Sequence, residues 1–342
     1  MAEPAAAPLW LLDADLVDQR YKEAVAVAVK KCADDTKGQT CPICWESIHS
    51  ETQEGLVRMC ACRGSSGFAH VSCLALQAKI LVARNDRWAR WHTCGLCKQQ
   101  YHGDVACALG WACWKTYLGR PEVDELRRFS MNQLGIGLGL VGRHEDALAV
   151  REAALSMERR LGDSEENLLA AQGNLADTYR SLGREEEAAN MLRDVYSGRL
   201  RLHGEEHEQT INAALNYGFS IGTLGRFEEA KELSSKTLPV ALRVLGEGHK
   251  LTLKMRWNYA DTLYMDPGAT LDNLREAVTT LEEILPTARQ VFGRSHPLTT
   301  AMEDNLREAR AALRAREEAR TRGPGAAIIY AAAALTVAAL LV

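Results

Sequence analysis

At 342 residues the chain has room for two domains or one long repeat array, and with 46% apolar and 25% charged residues it has the composition of a folded protein. A net charge of −4 over that length offers no basic field for phosphate, so nucleic acid is not expected among its partners. Aromatics make up only 6% while alanine is abundant, a balance that suits closely packed helices.

The first residues, MAEPAAAPLWLLDADLVDQR, have no basic start, and their short apolar run ends in acids, so they do not read as a secretory leader. Residues 1–37 are expected to be an N-terminal extension, with a helix from about Asp13 to Ala33 packed beside the next domain. Of ten cysteines, eight fall before residue 100. Without a leader, C-x-x-C pairs read as metal ligands rather than disulfides, which implies a reducing, cytoplasmic compartment.

Residues 38–103 hold the ligand pattern: Cys41-Pro-Ile-Cys44, Cys60-Ala-Cys62, His70-Val-Ser-Cys73 and Cys94-Gly-Leu-Cys97. Thiolate and imidazole are the ligands Zn²⁺ prefers, and four of them close a tetrahedral site. Eight ligands therefore make two sites, giving two Zn²⁺ per chain. Pairs this short cannot surround an ion alone, so each ion needs two pairs from different parts of the chain. Zinc binding would supply most of the folding energy of such a small domain, on the order of 10 kcal/mol per site.

The pattern, with the CRGSS run after Cys62, resembles the RING-variant (RING-CH) family of ubiquitin ligases. The resemblance implies interleaved pairs: Cys41, Cys44, His70 and Cys73 on one zinc, and Cys60, Cys62, Cys94 and Cys97 on the other. It also implies a ubiquitin-conjugating enzyme carrying ubiquitin as partner, docked on an apolar groove. Ile43 matches the central contact, Leu74, Leu76 and Leu96 could line the groove, and Lys98 falls where a cation holds the thioester in its reactive pose. The mechanism implied is positioning, with no covalent intermediate on the ligase and no catalytic residue in the general acid or base sense. Gln77 departs from the pattern, since family members usually carry Trp there; Trp88 and Trp91 are candidates to compensate. A PHD finger, which reads histone tails, shares the ligand order but normally has a wider second pair and an aromatic at the position of His92.

A bridging helix is predicted over 104–123, with Trp111 and Trp114 packing it onto the region that follows; Cys32, Cys107 and Cys113 read as small apolar residues. From 124 to 320 the chain repeats. Asn132, Asn174, Asn216 and Asn258 recur every 42 residues, and Gly162, Gly204 and Gly246 keep the same interval. Gly293 follows after 47, which places a five-residue insertion at DPGATLD, residues 266–272. One unit shows the physics. Leu175, Ala176, Tyr179 and Leu182 form a helical stripe, Gly183 stops the helix, and Glu185 to Glu187 favour the start of the next. Neither stripe can be buried alone, so stacked pairs supply the core.

This run, N-L-A-x-x-Y-x-x-L-G-R-x-E-E-A, resembles the 42-residue tetratricopeptide repeat of kinesin light chains, as about four helix pairs plus a capping helix. The fold class expected for the whole chain is therefore a small zinc-stabilised cross-brace domain (α+β, irregular) followed by an all-α tetratricopeptide-repeat solenoid. Repeats of this class bind an extended peptide, here a protein or peptide substrate, along the first helices of the pairs. By resemblance the repeated asparagines face that groove, with Arg128 beside Asn132 and Lys254 beside Asn258, a pairing suited to a carboxylate-bearing ligand. Alternatively the asparagines satisfy hydrogen bonds between repeats. His207, His249 and His296 stand one per turn, too far apart to share a metal, and are expected to cap helices.

Residues 326–342 are apolar and uncharged, about 25 Å if helical, slightly short of a bilayer core of roughly 30 Å. They read either as a tail anchor on an intracellular membrane, with the folded part in the cytosol, or as an alanine-rich soluble end. Two functions stand at this point: a RING-CH-type ubiquitin ligase that selects substrate through its repeats, or a non-enzymatic zinc-finger and repeat adaptor.

Overall fold

The computed structural model describes residues 7–60, 62, 64–84, 88–294 and 296–339, with side chains described up to Thr321. The chain divides into two compact units, Met1–Ala188 and Ala189–Val342.

The first unit opens with a short helix α1 (Leu9–Leu12) and α2 (Ala14–Lys31). Asp13 caps α2, its carboxylate accepting from the N–H of Asp15 at 2.9 Å and of Leu16 at 3.1 Å. A small hairpin follows, β1 (Val57–Arg58) against β2 (Phe68–Ala69), with Val57 opposite Ala69 and Arg58 opposite Phe68. Then come α3 (Val71–Ala83) and α4 (Gly103–Tyr117).

α4 is apolar nearly all round, as a helix enclosed by two layers must be. Val105, Ala108, Leu109 and Ala112 join the core of the cysteine-rich region, together with Val57, Ala69, Leu74 and Trp91 and with Val25 and Ala28 of α2. Cys107, Trp111 and Trp114 turn the other way, toward Met131, Leu134 and Leu138 of α5 (Glu125–Leu140) and Val150 of α6 (His144–Leu161). Trp114 is anchored by its indole N–H, which donates to the Leu11 carbonyl at 2.8 Å. The cysteine-rich region thus borrows core from α2 and α4, which a sequence count of its own aliphatics misses.

α4 and α5 approach backbone to backbone. A Cβ on Gly137 would stand 2.9 Å from the Cys107 Cα, and one on Gly110 would stand 3.0 Å from the Gln133 carbonyl oxygen. α7 (Glu165–Ser181) and the first turn of α8 (Glu185–His203) complete the unit. Ser164 caps α7 by accepting from the Asn167 N–H at 3.3 Å.

The second unit holds the rest of α8, then α9 (Glu208–Thr223), α10 (Phe227–Leu245), α11 (Lys250–Met265), α12 (Leu271–Val291) and α13 (Pro297–Ala339). Leu253, Leu263, Leu281, Ile284 and Met302 bury their stripes in one cluster shared by α11, α12 and α13. The insertion is a built turn. Asp266 accepts from the Gly268 N–H and from Lys231 of α10, and Thr270 and Asn273 form a capping box on α12. His207, His249 and His296 each accept, at Nδ1, from the N–H two residues on, at 3.2, 3.3 and 3.1 Å.

Among the described residues no helix is long and apolar enough to cross a membrane. The expected anchor, Ala326–Val342, lies outside the residues whose side chains are described.

Candidate functional site

The hairpin places the ligands. Cys60 comes two residues after β1, where the Met59 N–H donates to the Gly67 carbonyl at 3.0 Å. His70 follows β2 directly and starts α3, which delivers Cys73 one turn later. Glu54 fixes that helix start, accepting at Oε1 from the Ser72 N–H at 2.7 Å and its hydroxyl at 2.6 Å. Gly67 is required here: a Cβ would stand 2.6 Å from the Cys62 carbonyl oxygen as the loop folds back.

The first and fourth pairs sit on loops of one form. Cys41 N–H donates to the Glu46 carbonyl and Trp45 N–H to the Cys41 carbonyl, at 2.9 and 2.8 Å. Cys94 N–H and the Gln99 carbonyl, with Lys98 N–H and the Cys94 carbonyl, repeat this at 2.8 and 3.1 Å. Trp45 and Lys98, each directly after the second cysteine, take φ of 67° and 61°. The same loop recurs at residues 49–54 without cysteine, with Gln53 at φ 56°, so the backbone form alone is no sign of a metal. The converging side chains are.

Cys41, Cys44, His70 and Cys73 bring their ligand atoms within 4.8 Å of one another, and Cys60, Cys62, Cys94 and Cys97 do the same. The first pair therefore meets the third, and the second meets the fourth. Cys44 and Cys73 Sγ lie 3.3 and 3.7 Å from His70 Nδ1, and Cys60 and Cys62 Sγ lie 3.4 and 3.8 Å from Cys94 Sγ. A tetrahedron with metal–sulfur bonds of about 2.3 Å has edges of about 3.8 Å, so both sets fit a four-coordinate ion. Every cysteine in the two sets is free of disulfides.

His70 Nε2 lies 3.4 Å from the Ser47 carbonyl oxygen, which favours the proton on Nε2 and leaves the Nδ1 lone pair facing the sulfurs. Burial would push the Cys41 thiol up, yet N–H groups aimed at its sulfur, from Cys44, His70 and Ile43, bring it below its ordinary value. Cys94 is lowered to about 7 in the same way, against burial, by the N–H groups of Cys97 and Leu96. Burial holds Cys73 and Cys60 strongly upward. Each cluster thus pairs a thiol that N–H groups draw down with one that burial pushes up, and a bound divalent cation would favour the thiolate of both.

The expected docking residues separate. Ile43 is 38% exposed and Leu96 69%, one beside each cluster, and Leu76 is exposed on α3. Leu74, expected in the groove, is only 3% exposed and belongs to the core; its place on α3 turns it inward. Lys98 is exposed and its amine donates to the Gly95 carbonyl at 2.7 Å. Sequence reasoning passed over Trp45, which is 78% exposed; its place after Cys44 was the available signal. Gln77 is exposed, while Trp91 is buried edge-on to Tyr117 and Trp88 packs on Phe129 at 4.5 Å.

On the repeats, Asn174 Nδ2 donates to Asn132 Oδ1 at 2.9 Å, a bond between the first helices of successive pairs. Arg128 pairs with Asp163, so its charge already has a carboxylate. In the second unit Asn216 is half-buried, and the Asn258 amide sits against Gly218, whose Cβ would stand 3.2 Å from Asn258 Nδ2. Lys254 is half-buried on α11. Asn305, a fifth member of the asparagine series once the insertion is counted, donates to Asp261 Oδ1 at 2.6 Å. The five-residue offset was the signal that could have found it.

The tetratricopeptide repeat family profile matches residues 127–201. Among solved structures, the chain is similar to a Podosopora anserina protein described as a kinesin light chain with nearly identical TPR-like repeats, at 18% identity, covering 67% of this chain and 98% of that one with a TM-score of 0.44. A single-substitution variant of that protein gives 18% identity, 64% and 95% coverage and a TM-score of 0.45. BtubC (BKLC) from P. vanneervenii gives 15% identity, 74% and 90% coverage and a TM-score of 0.41. No curated protein matches the chain. The chain carries a tetratricopeptide-repeat region of helix pairs, preceded by two cysteine–histidine clusters able to chelate metal.

Proposed function

We propose that this protein is an interaction adaptor: a module braced by two zinc ions at residues 38–103, joined through α4 to helix pairs that bind extended peptide. The observation that carries the reading is the gathering of eight ligand atoms into two four-membered sets at tetrahedral spacing. Cys41, Cys44, His70 and Cys73 would hold one ion, and Cys60, Cys62, Cys94 and Cys97 the other. The ions would be structural, since closed four-ligand sites leave no open position for a reactant. Metal analysis of the purified chain tests it: two zinc ions per chain are expected, and fewer than two would overturn it.

A second reading, a RING-CH-type ubiquitin ligase, is favoured by one specific observation. Ile43 and Leu96 are apolar, solvent-facing, and stand one beside each cluster. A conjugating enzyme docked there would have its thioester held by positioning alone. Autoubiquitination with a panel of conjugating enzymes separates the readings. The adaptor predicts no transfer with any enzyme; the ligase predicts transfer that Ile43→Ala and Cys41→Ala abolish. A membrane anchor at Ala326–Val342 is a separate proposal, and resistance to alkaline extraction that survives deletion of this stretch would reject it.

A further inference from the structure

Between α5, α6 and α7 the first unit holds a cavity of about 290 Å³, lined at one end by Trp88 from the cysteine-rich region and by Phe129. That is the size of a pocket for one side chain rather than for a larger ligand. Several of its polar groups are already engaged with one another. Arg128 is held by Asp163, the Asn132 oxygen accepts from the Asn174 amide, and Arg151 donates to the Asn174 carbonyl and the Thr178 hydroxyl. Glu158 stands apart among the carboxylates. Its Oε2 is enclosed and has no hydrogen-bond partner among the described residues, and the Nε atoms of Arg128 and Arg151 on the same wall are likewise enclosed and unpartnered.

We propose that this cavity seats a cationic side chain, lysine or arginine, of a peptide partner, with Glu158 as its counter-ion; the proposal rests on the reading that the helix pairs bind peptide. The charge count agrees. Once Glu158 is ionised, Glu125, Glu158 and Asp163 outnumber Arg128 and Arg151 on the cavity wall by one charge. An anionic side chain would find Arg128 already paired with Asp163 and would stand beside the Glu158 carboxylate, so the carboxylate ligand suggested by the Arg128 and Asn132 spacing gives way to its opposite. The Trp88 and Phe129 rings, 4.5 Å apart, offer aromatic surface that favours a cation, and Ala154 and Ala170 leave room for an aliphatic stem. Burial raises the Glu158 carboxyl to about 7, although Arg128 draws it down, and a bound ammonium would complete its ionisation. Trp88 comes from outside the repeats and adds a wall that the helix pairs themselves do not supply.

The test is fluorescence anisotropy on the full chain with fluorescein-labelled nonapeptide pools, each with lysine, arginine, norleucine or glutamate fixed at the centre. The lysine and arginine pools are expected to bind about tenfold more tightly than the norleucine pool. Glu158→Gln should erase that preference, and Glu158→Asp should keep part of it. A thermal melt controls for folding, and Glu158→Gln should fold at least as well because it removes an unpartnered carboxylate. Equal or tighter binding of the norleucine or glutamate pools, or a preference untouched by Glu158→Gln, overturns the proposal while leaving peptide binding intact. Failure of every pool to bind overturns peptide binding and this proposal together.

Discussion

The cysteine-rich region and the helices of the second unit solve the same problem by opposite means. From Cys41 to Tyr101 the chain has few aliphatics, a two-stranded hairpin and one regular helix, and its core is completed by side chains of α2 and α4. Its interior brings seven sulfurs and an imidazole together, groups that hold one another only if a cation lies between them. In the second unit the cluster shared by α11, α12 and α13 is leucine, isoleucine, methionine and alanine on facing stripes, each stripe covered by its neighbours. The contrast teaches where each region is fragile. On the zinc reading, one should fail when a single ion leaves; the other should yield only to changes in packing or in its few buried polar groups.

The largest expected effect follows from removing metal. On the zinc reading, chelation or Cys73→Ser should cost the module on the order of 10 kcal/mol for each ion lost. Hydrogen exchange would then rise across residues 41–101, with α3 exchanging freely, while α9 to α12 keep their protection. Unchanged protection across 41–101 in metal-free protein would collapse the comparison, because the module would then be held by its apolar contacts after all.

How much of this was legible beforehand differs between the regions for a physical reason. Ligand spacing is written in the sequence, since Cys, His and their intervals are visible letters, and the repeat interval of 42 is equally plain. Helix caps at His207 and His249 were legible too, because caps are local. What was hidden depends on where faces turn. Leu74 and Leu76 are two residues apart on α3, which sends one into the core and the other to solvent. The pairing of Arg128 with Asp163 joins residues 35 apart, so the pocket's missing charge could not be read from either helix alone. The same holds for α4: Trp111 and Trp114 marked the face it turns to the helix pairs, but not the one it turns to the cysteine-rich core.

A smaller effect tests where the cysteine-rich core meets the first helix pair. Gly137 lies where α5 touches the backbone of α4, while Gly139, two residues on, has nothing within 4 Å of where its Cβ would be. Alanine at Gly139 should stabilise by about 0.5–1 kcal/mol through helix propensity. Alanine at Gly137 should gain the same propensity and lose more, about 1–3 kcal/mol, to overpacking against Ala106 and Cys107. Melting temperatures of the two variants should therefore move in opposite directions. A stabilising Gly137→Ala would mean that α4 gives way easily, and that the cysteine-rich core and the first helix pair are less tightly joined than the contact distances imply.

The last effect concerns a place where the second unit resembles the first in burying a carboxyl. Asp261 on α11 is raised from its ordinary 3.8 to about 7, chiefly by burial, with the Asn305 amide pulling it down and Glu308 pushing it up. The folded state then binds more protons than the unfolded chain between those two values. Stability should fall as pH rises from about 4 to about 7 and level off above, the reverse of an ion-paired acid. Asp261→Asn keeps an oxygen to accept from Asn305 and removes the charge. It should leave stability nearly unchanged at pH 4 and raise it by about 1–3 kcal/mol at pH 8. Denaturant midpoints of the two proteins across that range are the measurement. A gap between them that stays constant with pH would show that Asp261 is not what titrates, and that the second unit buries its polar groups without cost.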